Sequence, residues 1–343
     1  MEISNLLLKL SRRLYQDTQQ QEEFINALIN PQVYNPSILW CRDKPSDFNL
    51  SVVKPVDWQP DFVDRLELNQ KPGQHPLHQQ GYFYCLDFSS VFAASIFLAI
   101  HQPINLIFDM CAAPGGKSIF AWRVLQPKLL IANEVIGKRL GMLISNFKRC
   151  QVTPVAVLNR DSSIFAEAIS KSSDLVIVDA PCSGQSLLAK GEKVPGCFHP
   201  TNINKNANRQ KRIIANSAQI VAPQGYLAYT TCTYSPEENE QVCEWLLQKF
   251  PTYELVEVSH LKDYQSHLTT MPCYRMFPQS GLGAGAFAAL FRNTETGDTT
   301  KVNEETLQQL GIRYTTASLL IPPTPLDKAT VYTQILQSCL STK

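Results

Sequence analysis

Two cysteines carry the first chemical signal in this chain: Cys182 in Asp179-Ala180-Pro181-Cys182-Ser183-Gly184, and Cys232 in Tyr229-Thr230-Thr231-Cys232-Thr233-Tyr234. Each follows a short apolar run, residues 175–178 and 226–229, of the kind that forms a buried strand ending in a loop. If those strands are neighbours in a parallel sheet, about 5 Å apart, both thiols sit over one crevice at the strand carboxyl ends. That crevice is where open α/β sheets bind ligands.

A second signal is the loop Asp109-Met110-Cys111-Ala112-Ala113-Pro114-Gly115-Gly116-Lys117-Ser118. Gly115 and Gly116 let the backbone approach a ligand closely, and a helix expected directly afterwards would turn its free N–H groups to the crevice. Lys117-Ser118 imitates the end of a phosphate-binding loop, but no Gly lies five positions before Gly116, so that pattern fails. The dinucleotide G-x-G-x-x-G pattern is absent too. A bare Pro-Gly-Gly could be only a tight turn. Glu134 weighs against that, because it ends the next strand about twenty residues on, where a carboxylate can bind a ribose diol.

From residue 104 onward strands and helices alternate, which predicts βαβ units and a parallel sheet. Strands are expected at 104–108, 129–132 and 155–158, before the two that lead to the cysteines. Helices are expected at 138–150, 206–221 and 236–250, the last with Ser235 as N-cap and Pro236 at its first position. Two further strands, 253–258 and 286–292, complete five parallel strands and a terminal pair. Before residue 100, helical spacing at 3–14 and 22–29 precedes a Pro-, Asp- and Gln-rich stretch of short strands and turns. The expected organisation is an N-terminal accessory region at 1–100, a catalytic domain at 101–293 and a C-terminal tail at 294–343, with residues 319–325 able to pack on the sheet.

The 343 residues, 44% of them apolar, suit a soluble enzyme with a large core. The longest apolar stretch, 91–100, is too short to span a bilayer, and 6–8 is too short for a signal-peptide core. A cytoplasmic protein without a membrane segment is expected. Ten scattered cysteines with no Cys-x-x-Cys pair indicate free thiols and no structural zinc. Most, such as Cys85, Cys150 and Cys243, read as small core residues. The net charge of +1 decides nothing about nucleic acid, since a local basic face is what binds phosphates. Clusters at Lys138, Arg139, Lys148 and Arg149, and at Lys205, Arg209, Lys211 and Arg212, read from charge alone first as solvated helix faces.

The three segments 109–117, 179–184 and 231–233 followed by Glu237-Glu238-Asn239-Glu240 resemble the S-adenosylmethionine-dependent RNA 5-methylcytosine methyltransferases of the NOL1/NOP2/Sun (RsmB) family. The resemblance runs over roughly residues 80–292, starting with Tyr84-Cys85-Leu86-Asp87-Phe88-Ser89-Ser90. It implies a class I methyltransferase fold: a Rossmann-like, mostly parallel seven-stranded sheet with helices on both faces. It also implies S-adenosyl-L-methionine as cofactor and ribosomal or transfer RNA as partner; no metal and a monomer are expected.

The family's division of labour makes Cys232 the nucleophile at cytosine carbon 6 and Cys182 the residue that assists release. Asp179 would act at ring N3 and lie near the methyl group, and Lys117 would face the base. Cys111, Ala112, Ala113, Pro114, Gly115, Gly116 and Lys117 would surround the methionine part of the cofactor. Glu134 would hold the ribose and Asp161 would approach the adenine. Arg139 resembles an arginine supporting the ribose-binding loop, and Phe287 is a candidate to pack on the base or in the core. Two departures stand out: Glu134 replaces the usual Asp, and 187–199 lacks the family's Arg-rich, Pro-Asp-containing version. A DNA cytosine-5 methyltransferase would instead use Cys182 as nucleophile, and a non-catalytic ribosome-assembly protein would use neither cysteine.

Overall fold

Five apolar runs build the frame. In the computed structural model, which describes residues 4–316, a small antiparallel sheet comes first: β1 (Ser37–Trp40) flanked by β2 (Val63–Arg65) and β3 (Phe83–Leu86). The large sheet holds β4 (Leu106–Asp109), β5 (Leu129–Asn133), β6 (Val155–Leu158), β7 (Ser173–Asp179), β8 (Val221–Thr231), β9 (Tyr253–Leu255), β10 (Cys273–Met276), β11 (Ala286–Asn293) and β12 (Tyr314–Thr315). Its order is β10-β11-β8-β7-β4-β5-β6-β12, with β9 paired to the far end of β11. Pairing is parallel from β6 to β8, and β11, β10 and β12 are antiparallel additions. Six of the seven expected strands are in this row; the seventh, expected at 253–258, is the short β9, which lies off the row against β11, while β10 takes the outer place and β12 is a short addition.

The central strands are apolar throughout because both faces are covered. Ile107, Leu175, Ile177 and Ala228 point to a core filled by Ile119, Phe120, Leu143 and Phe147 from helices Gly116–Leu125 and Gly137–Cys150. Their sequence neighbours Phe108, Val176, Val178, Leu227 and Tyr229 point the other way. There they meet Phe165, Ile214, Val242 and Leu246 from helices Ser162–Ala168, Pro200–Ile220 and Glu240–Lys249. The alternation is the period of two that a pleated strand imposes.

The first two helices are set by their caps. Ser4 accepts from the Leu7 N–H at 3.2 Å, ahead of helix Asn5–Leu14, and Asp17 from the Gln20 N–H at 2.9 Å, ahead of helix Thr18–Ile29. Leu7, Leu14, Phe24 and Leu28 pack with Leu188 and Tyr234 in one cluster. Phe24 meets Tyr234 edge-on with centroids 5.0 Å apart, and Arg13 pairs with Glu237 at 2.8 Å. The N-terminal helices thus brace the loop that follows Cys232. Residues 319–325 lie outside the described residues.

Two helices differ from the sequence reading. The helix expected at 206–221 begins at Pro200 and ends at Ile220, with Val221 already in β8. His199 caps it by accepting from the Thr201 N–H at 3.3 Å. The helix expected at 236–250 is broken: a single turn at Pro236–Glu238 stops at Asn239 (φ −118°, ψ −101°), and the helix proper is Glu240–Lys249. The break lets Asn239 turn inward, where it accepts from Thr231 Oγ1 at 2.6 Å and donates to the Thr233 carbonyl at 2.9 Å. Ser235 makes no cap bond and instead accepts from Gln185 Nε2 at 2.7 Å.

Candidate active site

Asp109 ends β4 fully buried and folds the following loop back on itself. It accepts from Ser118 Oγ at 2.5 Å and from the Cys111 N–H at 3.2 Å. Burial pushes its carboxyl up to about 7. Gly115 sits at φ +111° against Leu143 and Phe147, and a Cβ on Gly116 would lie 2.6 Å from Leu86 Cδ1. Gly115 is therefore needed for its left-handed backbone, and Gly116 gives the loop room against the Leu86 side chain. Ala112 and Ala113 are buried, Cys111 is half-buried and Pro114 is exposed. Burial raises the Cys111 thiol well above its usual range.

Glu134 stands across the crevice from this loop, with 2% of its surface exposed. Its Oε1 accepts from the Ile136 N–H at 2.8 Å. Its Oε2 is buried and accepts no hydrogen bond from any described residue, although Arg139 Nη1 ion-pairs with it at 3.1 Å. Arg139 also donates to the Ala113 carbonyl, so one guanidinium joins the glycine loop to the acid. Val135 and Ile136 beside it are 54% and 50% exposed. A carboxylate oxygen that has an arginine beside it but accepts no hydrogen bond, next to exposed apolar side chains, fits a ribose hydroxyl and an adenine ring.

Asp161 is held differently. It caps helix Ser162–Ala168, accepting from the Ser163 N–H at 3.1 Å, and it pairs with Arg212 at 3.2 Å. The Ser163 bonds and Arg212 keep its carboxyl below the usual range. Its loop is tied to the site by Asn133, which donates to the Met110 and Arg160 carbonyls at 3.1 and 3.0 Å and accepts from the Arg160 N–H at 2.9 Å. Asn133 was invisible as a site residue in the sequence, where it reads only as a strand end.

β7 and β8 are parallel neighbours with Asp179 opposite Thr230, and the two thiols meet above them. Cys182 Sγ lies 3.2 Å from Cys232 Sγ. Lys117 Nζ pairs with Asp179 Oδ2 at 2.8 Å, and Thr230 Oγ1 donates to Asp179 Oδ1 at 2.9 Å. Burial would lower the Lys117 pKa, but Asp179 outweighs it and the ammonium is retained. The Cys232 thiol is lowered, first by its hydrogen bond with Cys182, against burial and Asp179, with help from Lys117. Cys182 is raised well above its usual range by the same hydrogen bond and by burial. The ammonium of Lys117 beside it favours the thiolate form of Cys232, with Cys182 as its hydrogen-bond partner.

This assignment has a direct check in solution. Alkylation of Cys232 by iodoacetamide, followed against pH by mass spectrometry, is expected to show a midpoint below the ordinary thiol value of about 8.5. In Cys182→Ala the midpoint should move upward, because the largest stabiliser of the thiolate is gone. Equal midpoints in the two proteins would contradict the assignment.

The two cysteine loops are laced together by buried polar groups. Ser183 and Thr233 hydroxyls lie 2.6 Å apart, the Ser186 N–H donates to the Cys232 carbonyl at 3.2 Å, and Gln185 accepts from the Tyr234 N–H at 2.9 Å. Thr230, Gln185 and Glu238 were missed as site-building residues. Glu238 falls in the segment 237–240, where an acid just after Ser-Pro has the pattern of a helical first turn. Phe287 belongs to the core: it is fully buried in β11, between β8 and β10, with Arg275 5.5 Å over its ring. Of the two basic clusters, Arg149 is structural, donating to the His78 and Phe83 carbonyls. Lys138, Lys205 and Arg209 are exposed.

Among the described residues no helix is long and apolar enough to cross a membrane, and no group of three or more His, Cys, Asp or Glu side chains could hold a metal ion. Residues 96–292 match a family model described as 16S rRNA methyltransferase RsmB/F. A ribosomal RNA small subunit methyltransferase F from Pectobacterium carotovorum is 30% identical over 260 residues, 71% of this chain and 53% of that protein. The protein of the same name from Klebsiella pneumoniae is 30% identical over 292 residues, 81% and 61% of the two chains. The chain therefore spans between half and two thirds of the length of these curated relatives. Among solved structures, a methyltransferase homolog protein from Pyrococcus horikoshii superposes with a TM-score of 0.65 at 21% identity, covering 85% of this chain and all of the other. NSun6 from the same organism, solved with SFG, gives 0.66 at 19% identity, with 85% and 99% covered. These likenesses show the shared Rossmann-like class I methyltransferase fold.

Proposed function

Because the chain belongs to the 16S rRNA methyltransferase RsmB/F family, we propose that it is an S-adenosylmethionine-dependent RNA cytosine-5 methyltransferase acting on small-subunit ribosomal RNA. The observation that carries this reading is the pair of thiols 3.2 Å apart, beside the Lys117–Asp179 pair at the carboxyl ends of β7 and β8. The names of the curated relatives support the choice of RNA.

Cytosine carbon 5 is a poor nucleophile, and the residues present can change that. Cys232 Sγ adds to carbon 6, and the displaced electron pair builds charge at ring N3, which the Lys117–Asp179 pair neutralises by proton donation. Carbon 5 then behaves as an enamine carbon. S-Adenosylmethionine, when bound, supplies an electrophilic methyl group to it. Loss of the carbon 5 proton to solvent restores the C5=C6 double bond and breaks the carbon 6–sulfur bond, its electron pair going to Cys232 Sγ, which takes a proton from the Cys182 S–H, while N3 returns its proton to the Lys117–Asp179 pair. A nucleophile at Cys182, as in the DNA enzymes, fits poorly with a thiol raised well above its usual range.

The cofactor would lie between the 111–117 loop and Glu134, with the Glu134 Oε2 acceptor on the ribose. Glu134→Ala is expected to weaken cofactor binding by about 1.5–3 kcal/mol, the worth of a hydrogen bond to a charged group, measurable by calorimetry. Unchanged affinity would move the ribose contact elsewhere. Asp161 would reach the adenine edge only with the oxygen its cap leaves available. The region 1–100 is proposed as the accessory surface for RNA, 101–293 as the methyltransferase domain and 294–343 as a tail, acting as a monomer in the cytoplasm. The exposed Lys138, Lys205 and Arg209 supply positive charge for the phosphate backbone. The test is transfer of labelled methyl from S-adenosylmethionine to 16S rRNA. Incorporation lost with Cys232 supports the reading, and no incorporation into free rRNA or small subunits overturns it.

A further inference from the structure

We propose that Glu238, together with Gln210, is the positioning pair that holds Cys182 against Cys232 for release of the methylated RNA. This rests on the covalent methyl-transfer reading above and extends it to two residues that touch neither substrate nor cofactor.

The geometry is a clamp on both sides of Cys182. Glu238 Oε1 accepts from the Ser183 N–H at 2.9 Å, immediately after the cysteine. Gln210 Nε2, from the long helix Pro200–Ile220, donates to the Pro181 carbonyl at 3.0 Å, immediately before it. The same Gln210 nitrogen donates to Glu238 Oε1 at 3.0 Å, which closes the clamp. Glu238 Oε2 faces Thr233 Oγ1 at 3.5 Å, the residue after Cys232, and Thr233 meets the Ser183 hydroxyl at 2.6 Å. Tyr229 OH donates to the Glu238 carbonyl at 2.6 Å and pins the backbone as well. One side chain thus spans the residues that follow both cysteines.

The arrangement is costly, which is why a packing role alone explains it poorly. Glu238 and Gln210 are both fully buried, and no ion pair joins Glu238 to any described Lys, Arg or His. A buried carboxylate without a cation is unfavourable, and an apolar residue or a serine could close the same turn at less expense. The helix is also interrupted at Asn239 to place it. What only a carboxylate adds is a negative charge beside Cys182, which helps that thiol keep its proton. That proton is the one the departing Cys232 sulfur needs.

The test separates adduct formation from adduct release in the full-length chain. The probes are 16S rRNA and small ribosomal subunits from cells lacking this gene, with S-adenosylmethionine, read as the slow-migrating protein–RNA band on denaturing gels. Glu238→Gln is expected to slow release by about tenfold or more while adduct formation stays within about threefold, so that the band accumulates. The alkaline limb of the release rate should also shift to lower pH, since Cys182 loses its proton more readily without the charge. Gln210→Met, which keeps length and burial, should give the same imbalance with a smaller amplitude and serves if Glu238→Gln does not fold. Parallel slowing of formation and release, or release at the wild-type rate in folded variants, would overturn the proposal. A wild-type chain that forms no adduct and transfers no methyl to either RNA would instead overturn the reading beneath it.

Discussion

Cys232→Ala is expected to lower methyl transfer on the order of 10³-fold or more, with cofactor affinity unchanged. The size follows from what is removed: without sulfur on carbon 6, carbon 5 of cytosine has no enamine character and the methyl group has no competent acceptor. The neighbouring thiol offers no substitute. Cys182 is raised by its hydrogen bond and burial, and its backbone is fixed on both sides. The glycine loop, Glu134 and Arg139 make no hydrogen bond to Cys232, so binding of S-adenosylmethionine measured by calorimetry should stay at the wild-type value. Substantial residual transfer would remove Cys232 from its role, and transfer lost only in Cys182→Ala would favour the DNA-type assignment.

Cys182→Ala should have the opposite signature. Attack by Cys232 persists, somewhat weakened because its thiolate loses the Cys182 hydrogen bond. Expulsion of Cys232 then lacks its proton donor. A covalent protein–RNA adduct should therefore accumulate to most of the enzyme within a few turnovers and appear as a retarded band on a denaturing gel. The band should vanish in the Cys182→Ala, Cys232→Ala double variant. A Cys182→Ala enzyme that turns over normally, or one that forms no adduct while folded, would remove the release role.

Much of this was legible in residues alone, for physical reasons. Strands buried on both faces carry continuous apolar runs, so β4 to β8 stood out, and the motifs at their carboxyl ends followed from where open sheets leave a crevice. The parallel neighbours β7 and β8 place Cys182 and Cys232 as their spacing suggested. Short antiparallel supplements were hidden: β10 mixes Tyr and Arg in four residues, and β12 is two residues long. The start of helix Pro200–Ile220 was obscured by its run of Asn and Lys, which has no apolar period until Ile203 and Ala207 are seen to be buried. Glu238 defeated local reading altogether. An acidic residue after Ser-Pro looks like a favourable first turn, and only the tertiary contacts with Ser183 and Gln210 turn it inward.

We propose that this chain methylates carbon 5 of a cytosine in small-subunit ribosomal RNA through Cys232. Bisulfite sequencing of 16S rRNA tests it most directly, in cells lacking the gene and in the same cells complemented with the wild-type or Cys232→Ala chain. One cytosine is expected to be protected from conversion with the wild-type gene, converted in its absence, and converted still with Cys232→Ala. Identical conversion at every 16S cytosine in all three strains, or protection restored by Cys232→Ala, would contradict it.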